Sequence, residues 1–333
     1  MLFAKHAFGR EGNGTMDDAR ALMLLSKALL ARGELSVDRE VDAWRMVNGK
    51  ADGFPWLTAD FFKGAVLVEQ HREDADPGPL ISALPKIFDR DIPIFLKERW
   101  RRDPAERRGA QIRGASTNSD LVLVEDGIRF GVKLTGSHHV GIFIDSRQAR
   151  RRVREIARGK RVLNLFSYTG GFGLAAAAGG ARSATNVDNK RSALEAARRN
   201  FSLNGFTHDT RTFVRSDVEK YLKRRAATGG EFDLVVLDPP PRYRRPGRND
   251  FVAARSYSGM LARCAGVLAS GGKILAGLNS LGVDEERFDR ILSQAAARIG
   301  GRFVVEELIG PGIDFPPCDE RPVARFRLCT IGE

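Results

Sequence analysis

The sequence predicts a doubly wound α/β domain with a mostly parallel sheet, preceded by a smaller α+β domain. Three observations predict it. From about residue 146 strand-like and helix-like patterns alternate at regular intervals, the order that builds parallel sheets through right-handed crossovers. One strand pattern, RVLNLF (161–166), runs straight into a glycine-rich turn and a helix, the way such sheets present a ligand crevice. Another, FDLVVLD (232–238), is apolar almost throughout, as a strand covered on both faces must be.

The elements follow in order. Residues 15–33 read as a helix with Thr15 and Asp18 as a capping box and Gly33 as its stop. Residues 36–72 hold turn signals between short apolar runs and read as hairpin-rich. A second helix is expected over 78–98, then a polar, arginine-rich connection over 99–120. LVLVEDGIRFGVKLT (121–135) reads as two strands around Asp126-Gly127, a strong hairpin signal. In the second half, strands are expected at 161–166, 183–188, 212–217, 232–238 and 271–278. Helices are expected at 171–178, 190–205, 218–227, 250–269 and 284–297. FVVEEL and VARFRLCTI, with only a loop between them, predict an antiparallel closing pair. The expected division is a helical extension (1–35), an accessory α+β domain (36–135) and the doubly wound domain (136–333).

Composition excludes several classes. With 42% hydrophobic residues a chain of 333 can bury a sizeable core. No apolar run approaches the roughly 20 residues of a membrane-spanning helix, and the start lacks a secretory pattern, so a soluble cytoplasmic protein with no membrane partner is expected. Cys264, Cys318 and Cys329 show no CxxC and no histidine at ligand spacing, so neither a disulfide framework nor a metal site is expected. Lys plus Arg is 54 against 42 acids, a net charge of +12, which attracts polyanions. Codon usage that favours arginine is the plain alternative. Against it, arginines cluster at 99–113, 147–154 and 242–248.

Chemistry concentrates in three places. VLNLFSYTGGFG (162–173) joins a strand to a helix through glycines, which let backbone approach a ligand without a Cβ clash. It is neither GxGxxG nor GxxxxGK[ST], so a dinucleotide or P-loop site is poorly supported; an ordinary tight turn stays open. Asp188 ends the next strand, where an acid accepts both hydroxyls of a ribose; Asp217 ends the third, where a side chain meets an adenine. Each is alternatively a helix N-cap. LDPP (237–240) then sets an acid and two prolines at the end of a buried strand, within DPPPRY. Prolines stiffen the backbone and remove donors, so Asp238, Pro239 and Pro240 can hold a planar amine or base edge, with Tyr243 to stack on it. A strand cap is the structural alternative.

RVLNLFSYTGGFG, GGARSATNVD, EAARRNFSLNG and FDLVVLDPP, together with GIFIDSRQAR (141–150) and MVNGKADGFPWLTADFFKGAVLV (46–68), resemble a class I methyltransferase. More specifically the chain resembles the large-subunit (23S) ribosomal RNA methyltransferases of the I and K families, over roughly residues 40–333. The resemblance implies a Rossmann-like, seven-stranded sheet and S-adenosylmethionine as cofactor. It implies a cofactor site of Asn164, Phe166, Ser167, Tyr168, Thr169, Gly170, Gly171, Phe172, Asp188, Asn189, Asp217, Val218 and Asp238, with Phe143, Asp145 and Arg147 lining the methyl-donor pocket. RNA, specifically ribosomal RNA, is the implied partner; from the arginine clusters, Arg101, Arg102, Arg242, Arg244 and Arg245 are the expected phosphate contacts, and monomer and homodimer both stay open.

Two departures matter. The N-terminal PUA module of the I family has no counterpart in the 35 residues that precede the resemblance, which read as one helix. The cysteine that cytosine-C5 members carry after the fifth strand is absent; GLNSLG stands there, with Asn279, and the K-type members resemble this chain in having Asn. Carbon C5 needs a thiolate added at C6, whereas a guanine N7 or an exocyclic amine brings its own lone pair. A nitrogen target is therefore the expectation. A small-molecule methyltransferase and a non-catalytic RNA-binding protein are the rivals.

Overall fold

The computed structural model describes residues 16–33, 35, 40–206, 212–228, 231–243, 251–280, 283–320 and 323–332. Helix α1 (Asp18–Ala31) leads into a five-stranded sheet of β1 (Ala43–Asn48), β2 (Leu57–Phe62), β3 (Ala65–Gln70), β4 (Ile94–Glu98) and β5 (Ala110–Arg113), in that spatial order. Neighbours are antiparallel except β3 and β4, which helix α2 (Gly78–Phe88) connects in parallel. The Asp17 carboxylate caps α1, accepting from Arg20 N at 2.7 Å, one of the donors a helix start leaves open. The expected cap, Thr15, lies outside the described residues.

Helix α1 is no detached extension. Ala21 and Leu25 are fully buried with Leu80, Ala83 and Leu84 of α2 and Met46, Ala59 and Val66 of the sheet. The single helix expected over 78–98 is corrected. It stops at Asp89, which is left-handed at φ 48°, and Pro93 disfavours helix at the residue before it. IFLKE then forms β4, with Ile94 on the α1/α2 side and Phe95 on the opposite side, the period of two that a strand imposes. Part of the expected polar connection is β5.

Strands β6 (Asp120–Glu125) and β7 (Ile128–Lys133) form the predicted hairpin. Asp126 and Gly127 both have positive φ, 51° and 77°, as a two-residue turn of this hand requires. The sequence assigns this hairpin to the small domain. Its Leu123, Phe130 and Val132 nevertheless share a core with Ala175 and Phe201 of the doubly wound domain.

That domain runs α3 (Arg147–Ile156), β8 (Arg161–Leu165), α4 (Gly171–Ala178), β9 (Ser183–Asp188), α5 (Arg191–Leu203), β10 (Phe213–Arg215), α6 (Val218–Ala226), β11 (Phe232–Leu237), β12 (Arg242–Tyr243), β13 (Phe251–Val252), α7 (Ala253–Ala265), β14 (Leu268–Leu278), α8 (Glu285–Ile299), β15 (Arg302–Ile309) and β16 (Arg325–Gly332). The sheet order is β10-β9-β8-β11-β14-β16-β15. The first five strands are parallel, and β16 runs antiparallel between β14 and β15. Along β11, Leu234 and Val236 face one helical layer, Val235 and Leu237 the other. Connections leave β8 toward β9 on one side and resume at β11 on the other. This switch point opens a crevice at the carboxyl ends of β8 and β11.

The two domains are tied by buried charge. Arg147 and Asp314 are both 0% exposed and 2.6 Å apart. Arg147 also donates to Ala43 O at 3.0 Å, and the second Asp314 oxygen accepts from Arg45 N at 3.0 Å. The loop after β15 continues along the small domain: Pro316 O accepts from Asn48, and Glu320 accepts from Lys50 N and Trp56 N at 2.9 and 3.0 Å. The other arginines of α3 are likewise engaged. Arg150 pairs with buried Glu125, Arg151 with Asp126, Arg152 with Glu307, and Arg154 donates to Asp126 O. The 147–154 cluster is thus a structural ion-pair network, which corrects its reading as a polyanion surface.

Candidate active site

The turn after β8 is held in a conformation that side chains resist. Phe166 and Tyr168 have φ of 55° and 48°, and Gly170 has 81°; each such non-glycine residue costs about 1–3 kcal/mol and persists only where its surroundings enforce it. Ser167 N donates to Val187 O at 3.0 Å, Gly170 N to Ser167 O at 2.7 Å and Thr169 Oγ1 to Gly141 O at 2.6 Å. Asn200 Nδ2 donates to Thr169 O at 2.9 Å. Tyr168 N donates to Asp188 Oδ2, and the other oxygen accepts from Lys190 N, both at 2.9 Å. Asp188 is therefore not the cap of α5, whose N-cap is Lys190; it clamps the turn to the end of β9. Asp217 does cap its helix, accepting from Lys220 N at 3.0 Å, and Val218 is buried behind it.

The glycines serve packing. A Cβ at Gly170 would fall 2.9 Å from Ala197 Cβ, and one at Gly173 would fall 2.1 Å from Asn186 Oδ1. They seat α4 and the turn against α5 and the sheet, a packing role beside the one expected of them toward a ligand. Gly171 lies against Arg150. Asn164 donates to Asn186 inside the sheet, and Phe172 packs on Phe326 at 5.5 Å. Both are core residues, not crevice-lining ones. Arg147 is withdrawn from the crevice altogether by its pair with Asp314.

Around the crevice stand Phe166, Ser167, Tyr168, Asp188, Asp238 and, from the preceding segment, Phe143 and Asp145. Ser167 Oγ is buried with no hydrogen-bond partner among the described residues, a donor and acceptor in reserve. Phe143 is 39% exposed and lies 5.5 Å from the Tyr168 ring. Burial holds the Tyr168 phenol protonated, pushed up to about 12. One Asp145 oxygen accepts from Ala324 N at 3.0 Å. Asn189 is exposed beyond Asp188.

Asp238 follows β11 directly. Burial, then the charge of Asp145, raise its pKa to about 7, with Arg150 acting the other way. It keeps a partly exposed edge. Pro239 is buried and Pro240 exposed. Tyr243 packs on Phe166 at 5.2 Å, closing that side of the crevice. Sequence reasoning missed three supports. Tyr257 is fully buried and donates to Leu237 O at 3.0 Å. A Cβ at Gly277 would fall 2.8 Å from Asp238 Oδ1. His139 packs on Phe143 at 5.1 Å; its place just ahead of GIFIDSR was the one available signal. Asn279 follows β14, its Oδ1 buried without a partner among the described residues.

The predicted phosphate contacts divide. Arg242 and Arg102 are exposed. Arg101 pairs with Glu98 at 3.0 Å and lies over Trp100 at 4.5 Å. Arg244 and Arg245 lie outside the described residues. No group of three or more metal-ligating side chains occurs among the described residues.

This geometry has counterparts. The family model for S-adenosylmethionine-dependent methyltransferases matches residues 45–327. A Deinococcus radiodurans protein named ribosomal RNA large subunit methyltransferase is 34% identical over 300 residues, covering 86% of this chain and 73% of its own length. Ribosomal RNA large subunit methyltransferase I of Aeromonas salmonicida is 31% identical over 311 residues, covering 91% and 77%. In fold, a candidate SAM-dependent methyltransferase from Streptococcus mutans superposes with a TM-score of 0.85 at 22% identity, covering 96% of this chain and 83% of that one. A candidate methyltransferase solved with SAH gives a TM-score of 0.87 at the same identity and coverage. The family model spans residues 45–327 and curated relatives exceed 30% identity over most of the chain: this chain is a member of the S-adenosylmethionine-dependent methyltransferase family.

Proposed function

We propose that this enzyme methylates a nitrogen atom of an RNA base, with large-subunit ribosomal RNA as the substrate class. The observation that carries the choice of nitrogen is where the three cysteines stand. Cys264 is sealed inside the α7 layer and burial pushes its thiol up. Cys329 is buried in β16 and pushed up to about 12 by burial. Cys318 lies over Gly49 and beside Glu320, on the small domain. None is at Asp238, so addition of a thiolate to a pyrimidine ring has no nucleophile. The names of the relatives and the net charge of +12 support RNA as the acceptor.

S-adenosylmethionine, when bound, supplies an electrophilic methyl group. Asp188 would accept from its ribose hydroxyls, and Ser167 Oγ would add a polar contact beside it. Asp217 and Val218 would border its adenine. The Asp238 carboxylate accepts N–H groups of the incoming base and aims its nitrogen; Pro239 and Pro240 keep that edge rigid. A carboxyl titrating near neutrality also takes the proton that an exocyclic amine sheds.

Labelled donor, purified protein and ribosomal RNA, followed by mass spectrometry of the digested nucleosides, test this. Methyl on a guanine or adenine nitrogen supports the proposal; 5-methylcytosine overturns the nitrogen assignment, and label only in small metabolites overturns RNA. Cys318→Ala is expected to keep transfer within about twofold, since a group away from the reacting atoms contributes little. Asp188→Ala is expected to weaken cofactor binding about 10- to 100-fold in calorimetry, the range for lost hydrogen bonds to a charged group. Unchanged affinity would place the cofactor elsewhere.

A further inference from the structure

Strand β4 carries a lysine that the reaction does not use. Lys97 is 0% exposed, and its Nζ has no hydrogen-bond partner among the described residues. An ammonium group has three donors and a full charge, and burying one unpaired is strongly unfavourable. Burial and then Arg99 lower its pKa to about 8, with Glu69 opposing, so it stays mostly charged at neutral pH. Glu69, the carboxylate within electrostatic reach, is already engaged by the Arg99 guanidinium and lies 3.9 Å from His71 Nε2.

The surroundings add more positive charge. Arg99 donates to His138 O and meets His138 Nδ1 at 3.2 Å. Arg107 is half-buried, and among the described residues its side chain donates to the backbone oxygens of Arg101 and Arg102. Gly136 N donates to Arg108 O at 3.1 Å, which lays the 136–140 loop on the 106–108 turn. Lys97, Arg99 and Arg107 all act on His138 and depress its protonation, after burial, with Glu69 alone opposing. Lys97, Arg99 and Arg107 therefore gather around His138 with Glu69, while the nearby Glu98 and Glu106 are engaged by Arg101. From this junction rings lead to the crevice: His138 to His139 at 4.4 Å, His139 to Phe143 at 5.1 Å, Phe143 to Tyr168 at 5.5 Å.

We propose that the junction of β4, the 106–108 turn and the 136–140 loop binds a backbone phosphate of the RNA beside the target nucleotide. Arg107, Arg99 and His138 face the phosphate. Lys97, sealed one layer beneath, supplies the uncompensated charge through its field. His139 and Phe143 then offer the neighbouring base a stacking surface on its way to Asp238. The ligand's identity rests on the RNA reading; the surplus charge does not.

The test uses the full chain, Arg107→Ala and the near-isosteric Lys97→Met. RNA affinity is measured over a salt series, cofactor affinity by calorimetry, and inorganic phosphate binding by the His138 and His139 ring resonances. Each variant is expected to bind RNA about 5- to 10-fold more weakly with a salt slope reduced by about one, and with cofactor affinity unchanged. Phosphate is expected to shift the His138 resonance in the wild type and much less in Arg107→Ala. Should Lys97→Met fail to fold, the half-exposed Arg107 site decides alone. Phosphate shifts without RNA binding would support the anion site and overturn the RNA reading. Wild-type RNA affinity, slope and phosphate response in Arg107→Ala would overturn the site.

Discussion

Asp238→Asn is expected to yield an enzyme that is more stable and nearly inactive. The carboxyl sits at the end of β11 with burial and Asp145 raising its pKa to about 7. In the unfolded chain an aspartate titrates near 3.9. The folded state thus binds the proton more tightly, and the stability from protonation is complete below about pH 4 and lost as pH rises through about 7. Above that the ionised group burdens the fold. Asparagine keeps the shape without the charge. At pH 8 it is expected to add about 1–2 kcal/mol, well below the full pKa difference because the group keeps a solvent-facing edge. Transfer is expected to fall about 100-fold or more, the scale seen when one preorganised electrostatic contact is removed. The pH dependence carries the sign. Wild-type kcat/KM is expected to drop as pH falls below about 7, because the base then meets a protonated acid, and the variant is expected to lose that limb. Urea denaturation and a pH–rate profile check both halves. A variant that is destabilised at pH 8, or that keeps the wild-type acid limb, would remove Asp238 from the chemistry.

The second large effect lies where the domains meet. Asp314→Ala is expected to destabilise the chain by about 3–5 kcal/mol, the range for breaking one half of a buried pair. The size follows from the environment: Arg147 and Asp314 have no exposed side-chain surface, so among the described residues the abandoned guanidinium keeps Ala43 O at 3.0 Å alone. Arg45 N loses its acceptor as well. Pairing Asp314→Leu with Arg147→Met is expected to recover most of the loss, since apolar groups of similar volume can replace a buried ion pair. Chemical denaturation of the single and double variants measures it. A single-variant loss below about 1 kcal/mol would mean water reaches the pair and the tie is weak.

Much of the crevice is legible in the linear order. The spans 171–178 and 183–188 are those of α4 and β9, because helix and strand patterning is a local property. The turn, Asp188 and Asp238 were legible for the same reason: each sits where a strand pattern ends, and strand ends in a parallel sheet converge. The roles of single side chains were less so. Asp188 leaves a helix cap as its alternative until Tyr168 N is found on it, and the packing of Ala197 and Asn186 behind the glycines of TGGFG is not written in the linear order.

What the sequence determined by itself was the alternation and the crevice at the end of RVLNLF, both of which follow from residues near one another along the chain. What only the tertiary structure decided was the fate of the charges. Arg147 meets a carboxylate 167 positions away, and α3 spends its arginines on Glu125, Asp126, Glu307 and Asp314, while Lys97 Nζ has no hydrogen-bond partner among the described residues. A charge run shows how many cations a segment has. Whether each is neutralised depends on which distant acid folding brings within about 4 Å, where a Coulomb interaction in a poorly solvated site becomes strong.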